Sequence, residues 1–144
     1  MGNSVKHLRT LRAASVGTEV GLSDDTETRS YIKKLNLVGL PMRQRALVSA
    51  YIVDMRAALK EVSRVLAPGG RAIYVVGENV VRGIYVRNSK LLRLLAESLG
   101  LRFEKSVRRA LPPNRRYMPP PTNGRQSLDS RMRSEIVLQF RKTR

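Results

Sequence analysis

EVSRVLAPGGRAIYVVGENVVRG, residues 61–83, is the stretch on which the fold turns. Pro68-Gly69-Gly70 cannot continue a helix, because proline has no N–H to donate and glycine readily takes the backbone angles that end one. The next segment, Arg71 to Gly77, is a run of apolar and β-branched residues without alternation. Such a run predicts a strand buried on both faces, as in a parallel sheet. Helix, stop and buried strand in that order point to an α/β architecture.

Working outward, Pro41 opens a helix predicted over residues 43–66. Leu47, Val48, Tyr51, Ile52, Met55, Leu59, Val62 and Leu66 recur there at three- and four-residue steps, so one face is apolar. Downstream, Leu91, Leu92, Leu95 and Leu99 predict a second helix near 88–99, which Gly100 ends. LRFEKSVRRA (101–110) reads as a half-buried strand with Leu101, Phe103 and Val107 on one side. RSEIVLQFRK (133–142) alternates Ile136, Leu138 and Phe140 against Val137, Gln139 and Arg141, and reads as the last strand. Strand, helix, strand implies a right-handed parallel crossover, and the last two strands are expected to pair antiparallel. Near the start, residues 5–14 read as a short basic helix and 16–30 as a loop. Asp24, Asp25 and Glu27 in that loop are expected to cap the helix carrying YIKKLNL, in preference to binding a metal.

The 144 residues make one ordinary domain, long enough to bury a core. Cys is absent and His7 is the sole histidine, which argues against disulfides, thiolate metal sites and a Ser-His-Asp triad. No stretch approaches the ~20 apolar residues of a membrane span, and no apolar leader is visible, so the expected location is cytoplasmic. Charge is the strongest compositional signal. Lys and Arg number 28 against 11 Asp and Glu, a formal net of +17. Residues 1–70 hold 11 basic and 6 acidic residues, and residues 71–144 hold 17 and 5. The positive field therefore lies mostly in the second half, and a polyanion, nucleic acid first, is the expected partner.

The second half also carries LPPNRRYMPPP, residues 111–121, within a span of about 22 residues that shows no periodic pattern. Its prolines bracket Asn114-Arg115-Arg116-Tyr117 in a stiff frame. Arg115 and Arg116 can grip phosphates or a guanine edge, Asn114 can read adenine, and Tyr117 can stack on a base. Arg108, Arg109, Arg125, Arg131 and Arg133 crowd the same end of the chain. The plainer alternative is a surface loop whose arginines stay in water.

Taken together, EVSRVLAPGGRAIYVVGENVVRG, RRALPPNRRYMPPP, LDSRMRSEIVLQFRK and the earlier LRTLRAASVGTEVG resemble the C-terminal half of S-adenosylmethionine-dependent DNA methyltransferases that act on adenine or cytosine amino groups. The resemblance covers nearly the whole chain. It implies a partial Rossmann-like α/β fold, with a parallel strand pair, a last antiparallel strand and flanking helices. Strand 71–77 would be the fifth of seven, between the fourth and the last. The family's Gly-rich cofactor turn and its Asp/Asn/Ser-Pro-Pro-aromatic catalytic loop are both missing from these residues. Pro112-Pro113-Asn114 is no substitute, because no polar residue precedes the prolines and no aromatic follows them. The resemblance therefore implies a second half of a site-specific, restriction-modification type enzyme, inactive alone. Residues 1–42 would follow the absent catalytic loop, and 43–144 would form the helix-PGG-strand-helix-strand-long loop-strand unit.

No catalytic, cofactor-binding or metal-binding residue is expected in this chain, and S-adenosylmethionine is expected only in the complete enzyme. Glu78 and Asn79 stand at the carboxyl end of the central strand, where α/β sheets place ligands. They either help line the base pocket, together with Arg82, or simply cap the following turn. The expected nucleic-acid contacts are Arg87, Asn88, Arg108, Arg109, Asn114, Arg115, Arg116, Tyr117, Arg131 and Arg133. The missing fourth strand implies that something covers the apolar edge of strand 71–77, namely a complementary half, a second copy or the N-terminal segment. A non-enzymatic basic domain that binds DNA or RNA is the other reading of the same residues.

Overall fold

The computed structural model describes residues 5–13, 25–81, 84–112 and 134–143. Chain order is α1 (Val5–Ala13), α2 (Thr26–Lys34), α3 (Met42–Val65), β1 (Arg71–Gly77), β2 (Asn79–Val81), β3 (Ile84–Val86), α4 (Asn88–Ser98), β4 (Leu101–Ala110) and β5 (Ser134–Lys142).

Helix α2 starts several residues before YIKKLNL, because Asp25 captures it. The Asp25 Oδ1 accepts a hydrogen bond from the Thr28 N–H at 2.6 Å, while Asp25 keeps extended backbone angles, as an N-cap does. Glu27 in the first turn holds Arg56 of α3 at 2.5 Å. Asp24 lies outside the described residues. The helix then stops at Lys34 in a Schellman closure. The Leu37 N–H donates to the Ile32 carbonyl and the Asn36 N–H to the Lys33 carbonyl, both at 2.9 Å, with Asn36 left-handed at φ 57°. That reversal drives Leu37 and Leu40 into the core.

Helix α3 buries Val48, Ile52 and Leu59, with Tyr51, Met55 and Val62 partly buried alongside. Its end is fixed to the end of α4 by the Ser63 hydroxyl, which donates to the Leu99 carbonyl at 2.8 Å. Helix α4 turns Leu91, Leu92, Leu95 and Ala96 inward. Between α3 and β1, Gly69 sits at φ 76°. A Cβ on Gly70 would meet the Ala67 carbonyl oxygen at 2.8 Å, so the turn has no room for a side chain there.

The three-stranded sheet has the order β1-β5-β4, and β5 is antiparallel to both neighbours. The expected antiparallel pairing of 101–110 with the last strand is present, and so is the pairing of strand 71–77 with the last strand. β1 and β4 therefore run in the same direction, as a β-α-β crossover requires. They do not pair directly, because β5 fills the place between them. Phe140 is fully buried at the centre. It makes edge-on contacts with Tyr74 of β1 (centroids 6.1 Å apart) and Phe103 of β4 (5.9 Å). The buried apolar side chains other than Ala50, from Tyr31 through Phe140, belong to one cluster that includes α2, α3, α4 and one face of the sheet.

The other sheet face corrects two sequence expectations. β1 is not buried on both sides: Ala72 is buried and Tyr74 and Val76 partly so, but Ile73 is 64% and Val75 52% exposed. Among the described residues, helices pack on one face only. The second correction concerns Val107. The register shifts at Glu104, so Phe103 lies opposite Phe140 while Lys105 lies opposite Gln139. One extra residue exchanges the faces of everything after it. Val107 therefore leaves the side of Leu101 and Phe103 and joins Val137 and Val75 on the exposed face.

A short antiparallel hairpin, β2–β3, was not anticipated. It pairs Asn79 with Val86, Val80 with Tyr85 and Val81 with Ile84. Val86 is buried and Val81 and Ile84 pack on the core, while Val80 and Tyr85 face outward. The sequence does carry its signature: two β-branched runs separated by the dipeptide Arg82-Gly83.

Candidate nucleic-acid interface

One edge of the sheet gathers most of the candidate residues that the structure describes. Gly77 at the carboxyl end of β1 is opposite Glu135 of β5, and Glu135 is opposite Arg109 near the carboxyl end of β4. With strands spaced ~4.8 Å apart, the ends of β1 and β4 lie about 10 Å apart on this edge. Arg109 donates from Nε to the Glu135 carboxylate at 2.5 Å, and Arg108 donates from Nη1 to the Ser134 hydroxyl at 3.1 Å. The chain leaves β4 here through Leu111 and Pro112 and re-enters β5 at Ser134. Arg82, Asn114, Arg115, Arg116, Tyr117, Arg131 and Arg133 lie outside the described residues. The two ends of the span that carries the last six are nonetheless fixed at this edge.

Glu78 and Asn88 form a clamp. Asn88 Nδ2 donates to the Gly77 carbonyl at 2.8 Å. The Glu78 carboxylate accepts from the Ser89 N–H at 3.5 Å and from the Ser89 hydroxyl. Both contacts tie the end of β1 to the first turn of α4, and the carboxylate satisfies a helix N–H that has no partner within the helix. Asn79 is exposed at the start of β2. Arg87 is exposed too, with its guanidinium 5.9 Å from the centroid of the Tyr85 ring.

Charge is distributed unevenly. Glu27, Glu61, Glu97 and Glu135 each hold one arginine, and Glu104 is approached by Arg141, Arg71 and Arg102. The hydrogen bond from Arg141 holds the Glu104 carboxyl below its ordinary range, outweighing partial desolvation, and Gln139 adds to the effect. Burial pushes the Tyr51 and Tyr74 hydroxyls up. No group of His, Cys, Asp and Glu able to hold a metal ion occurs among the described residues. No helix among them is long and apolar enough to cross a membrane.

Two open clefts are prominent. One is bordered by Pro68, Gly69, Arg102, Arg141, Lys142 and Thr143. The other is bordered by Lys34, Asn36, Ile84, Tyr85, Arg87 and Lys90. Neither is bordered by an acidic side chain. The second cleft brings Lys34, Tyr85 and Lys90 to Arg87. Sequence reading singled out Arg87 alone, because Lys34 reaches it across more than fifty residues and no local pattern marks that approach.

Comparison with solved structures identifies the architecture. A crystal structure of a protein from Thermus thermophilus, named as a DNA modification methylase, aligns with TM-score 0.52 and 22% identity over 73% of this chain and 42% of that one. The same protein complexed with S-adenosyl-L-methionine aligns with TM-score 0.51 and 21% identity, covering 68% and 39% respectively. The fold is methyltransferase-like. The chain spans about two fifths of the length of that relative. No protein-family model matches it, and no curated protein matches it.

Proposed function

We propose that this methyltransferase-like chain is the DNA-contacting, base-pocket-completing C-terminal portion of a site-specific DNA methyltransferase. S-adenosylmethionine, in this reading, is bound by the complete enzyme and not by these residues alone. The observation that carries the proposal is the edge where Gly77, Glu135 and Arg109 align. It joins the carboxyl end of β1 to both ends of an arginine- and proline-rich span, on a fold similar to that of a DNA modification methylase. The chain's +17 charge supports a polyanionic partner. Asn79 and Arg82 would border the base pocket, with Glu78 holding the clamp beneath it. Arg87, Asn88, Arg108, Arg109, Asn114, Arg115, Arg116, Tyr117, Arg131 and Arg133 would contact DNA. The exposed Ile73 and Val75 and the outer edge of β1 suit a complementary half or a second copy.

The test is duplex binding at several salt concentrations, with calorimetry for the cofactor. The chain is expected to bind duplex DNA and to show no micromolar affinity for S-adenosylmethionine. Arg115→Ala with Arg116→Ala should reduce the log–log salt slope by roughly 2, about one for each phosphate no longer neutralised. Unchanged affinity and slope in that variant would remove the span from the DNA interface. Tight cofactor binding would refute the division of labour. A chain that binds DNA or RNA but adds nothing to any methyltransferase half would instead be a basic nucleic-acid-binding domain.

A further inference from the structure

The cleft between the end of α2 and the β3–α4 junction has a volume of about 370 Å³, at the small end of the range of ligand sites. Three cations border it, each held by a neutral partner. The Lys34 ammonium lies 5.3 Å from the centroid of the Tyr31 ring. The Arg87 guanidinium lies 5.9 Å from that of the Tyr85 ring. Lys90 Nζ donates to the Lys34 carbonyl at 3.1 Å, at the end of α2. These contacts position the charges without neutralising them.

Several arginines elsewhere on the described surface are neutralised instead. Arg56, Arg64, Arg93, Arg109 and Arg141 all lie against carboxylates. No described carboxylate pairs with Lys34, Arg87 or Lys90. Three like charges around one small cleft repel one another, and an anion seated among them relieves that repulsion. Tyr85 adds a second element of recognition. The residue is 45% exposed on the outer side of the β2–β3 hairpin, where it pairs across the strands with the exposed Val80. An aromatic ring beside a cationic cleft offers a stacking surface for a base whose phosphate lies in that cleft. The exposed Asn36, held in its left-handed turn, puts a side-chain amide at the rim.

We propose that this cleft binds one nucleotide of a DNA strand, its phosphate between Lys34, Arg87 and Lys90 and its base against Tyr85. The inference rests on the DNA-contacting reading above, but it adds a site separate from the span 111–133. It also assigns a preference: unpaired nucleotides, whose bases are free to stack, bind there better than paired ones.

The experiment uses the whole chain and a short single-stranded oligothymidylate carrying 5-iododeoxyuridine. Binding is followed by fluorescence anisotropy across a salt series, and photo-crosslinks are mapped by mass spectrometry. Crosslinking at Tyr85 is expected. The triple variant Lys34→Gln, Arg87→Gln, Lys90→Gln should lower the single-strand salt slope by roughly 0.7, the release expected for one phosphate no longer neutralised. Tyr85→Ala should weaken single-strand binding roughly 5- to 150-fold and leave the slope unchanged. Arg64→Gln, on the exposed surface of α3, serves as the single-charge control, and circular dichroism confirms that each variant folds. If wild type binds DNA but the triple variant and Tyr85→Ala match it and no crosslink reaches Tyr85, the cleft assignment fails while the DNA-contacting reading stands. If wild type binds no DNA, both fail. Tyr85-dependent binding confined to RNA would overturn the choice of DNA.

Discussion

Phe140→Ala tests the register on which the site geometry depends. Phe140 is fully buried, and its ring meets Tyr74 and Phe103 edge-on from the two neighbouring strands. Truncating a buried Phe costs about 3–5 kcal/mol. The two edge-on ring pairings disappear with it, each worth about 0.5–1.5 kcal/mol beyond area burial, so the upper part of that range, about 4–5 kcal/mol, is expected. Domains of this kind have only about 5–15 kcal/mol in total. With a urea slope of about 2 kcal/mol/M, the midpoint should fall by roughly 2 M. Val137→Ala, three residues earlier on the partly exposed face, should cost well under half as much. Phe140→Leu, which retains apolar volume, provides a measurable variant if the alanine form does not fold. Urea denaturation followed by far-UV circular dichroism gives the ranking. If Val137→Ala costs as much as Phe140→Ala, β5 presents its other face to the core, and the row Gly77–Glu135–Arg109 is misplaced.

Glu104→Gln should alter the pH dependence of stability. The Glu104 carboxyl is held below its ordinary value of 4.5, chiefly by the Arg141 hydrogen bond. A depressed folded-state value means that the stabilisation is complete above the unfolded value and disappears as pH falls through the folded one. Wild type should therefore exceed Glu104→Gln by most at pH 7, and the two melting temperatures should converge below pH 4.5; a gap that widens on acidification would contradict this. Gly100→Ala should cost about 1–2 kcal/mol by thermal melting. Gly100 sits at φ 79° and a Cβ would meet nothing nearer than the Thr143 Oγ1 at 3.6 Å, so backbone strain is the cost and crowding is not; a neutral result would mean the turn relaxes.

The helices were legible because their signals are local and repeated. Eight apolar positions at helical spacing define α3, and Pro68-Gly69-Gly70 marks where it stops. The strands were legible as strands, and the expected pairings of the last strand with 71–77 and with 101–110 are both present. The pairing of β5 with β1 joins residues about sixty to seventy apart in sequence, and it was read from the family resemblance because no local pattern marks it. The bulge at Glu104 left no composition cue, so Val107 was assigned to the wrong face. β1 read as buried on both sides because its run of Ile73, Tyr74, Val75 and Val76 is continuous, yet the described helices cover only one side. At the candidate site, Arg87 and Asn88 were visible from their place beside a strand end. Lys34 and Lys90 were not, since only the Schellman turn at Asn36 and the packing of α2 bring them together.

The placement of β5 also dictates an order of events during synthesis. β1 and β4 lie on the two sides of a strand that is translated after both of them. Until residues 134–142 are available, each presents an unpaired backbone edge, and Phe140 has not yet arrived to fill the space between Tyr74 and Phe103. A nascent chain paused anywhere in the span 111–133 would therefore hold finished helices and an unformed sheet. Non-local pairing of this kind slows folding and leaves aggregation-prone edges waiting for their partner.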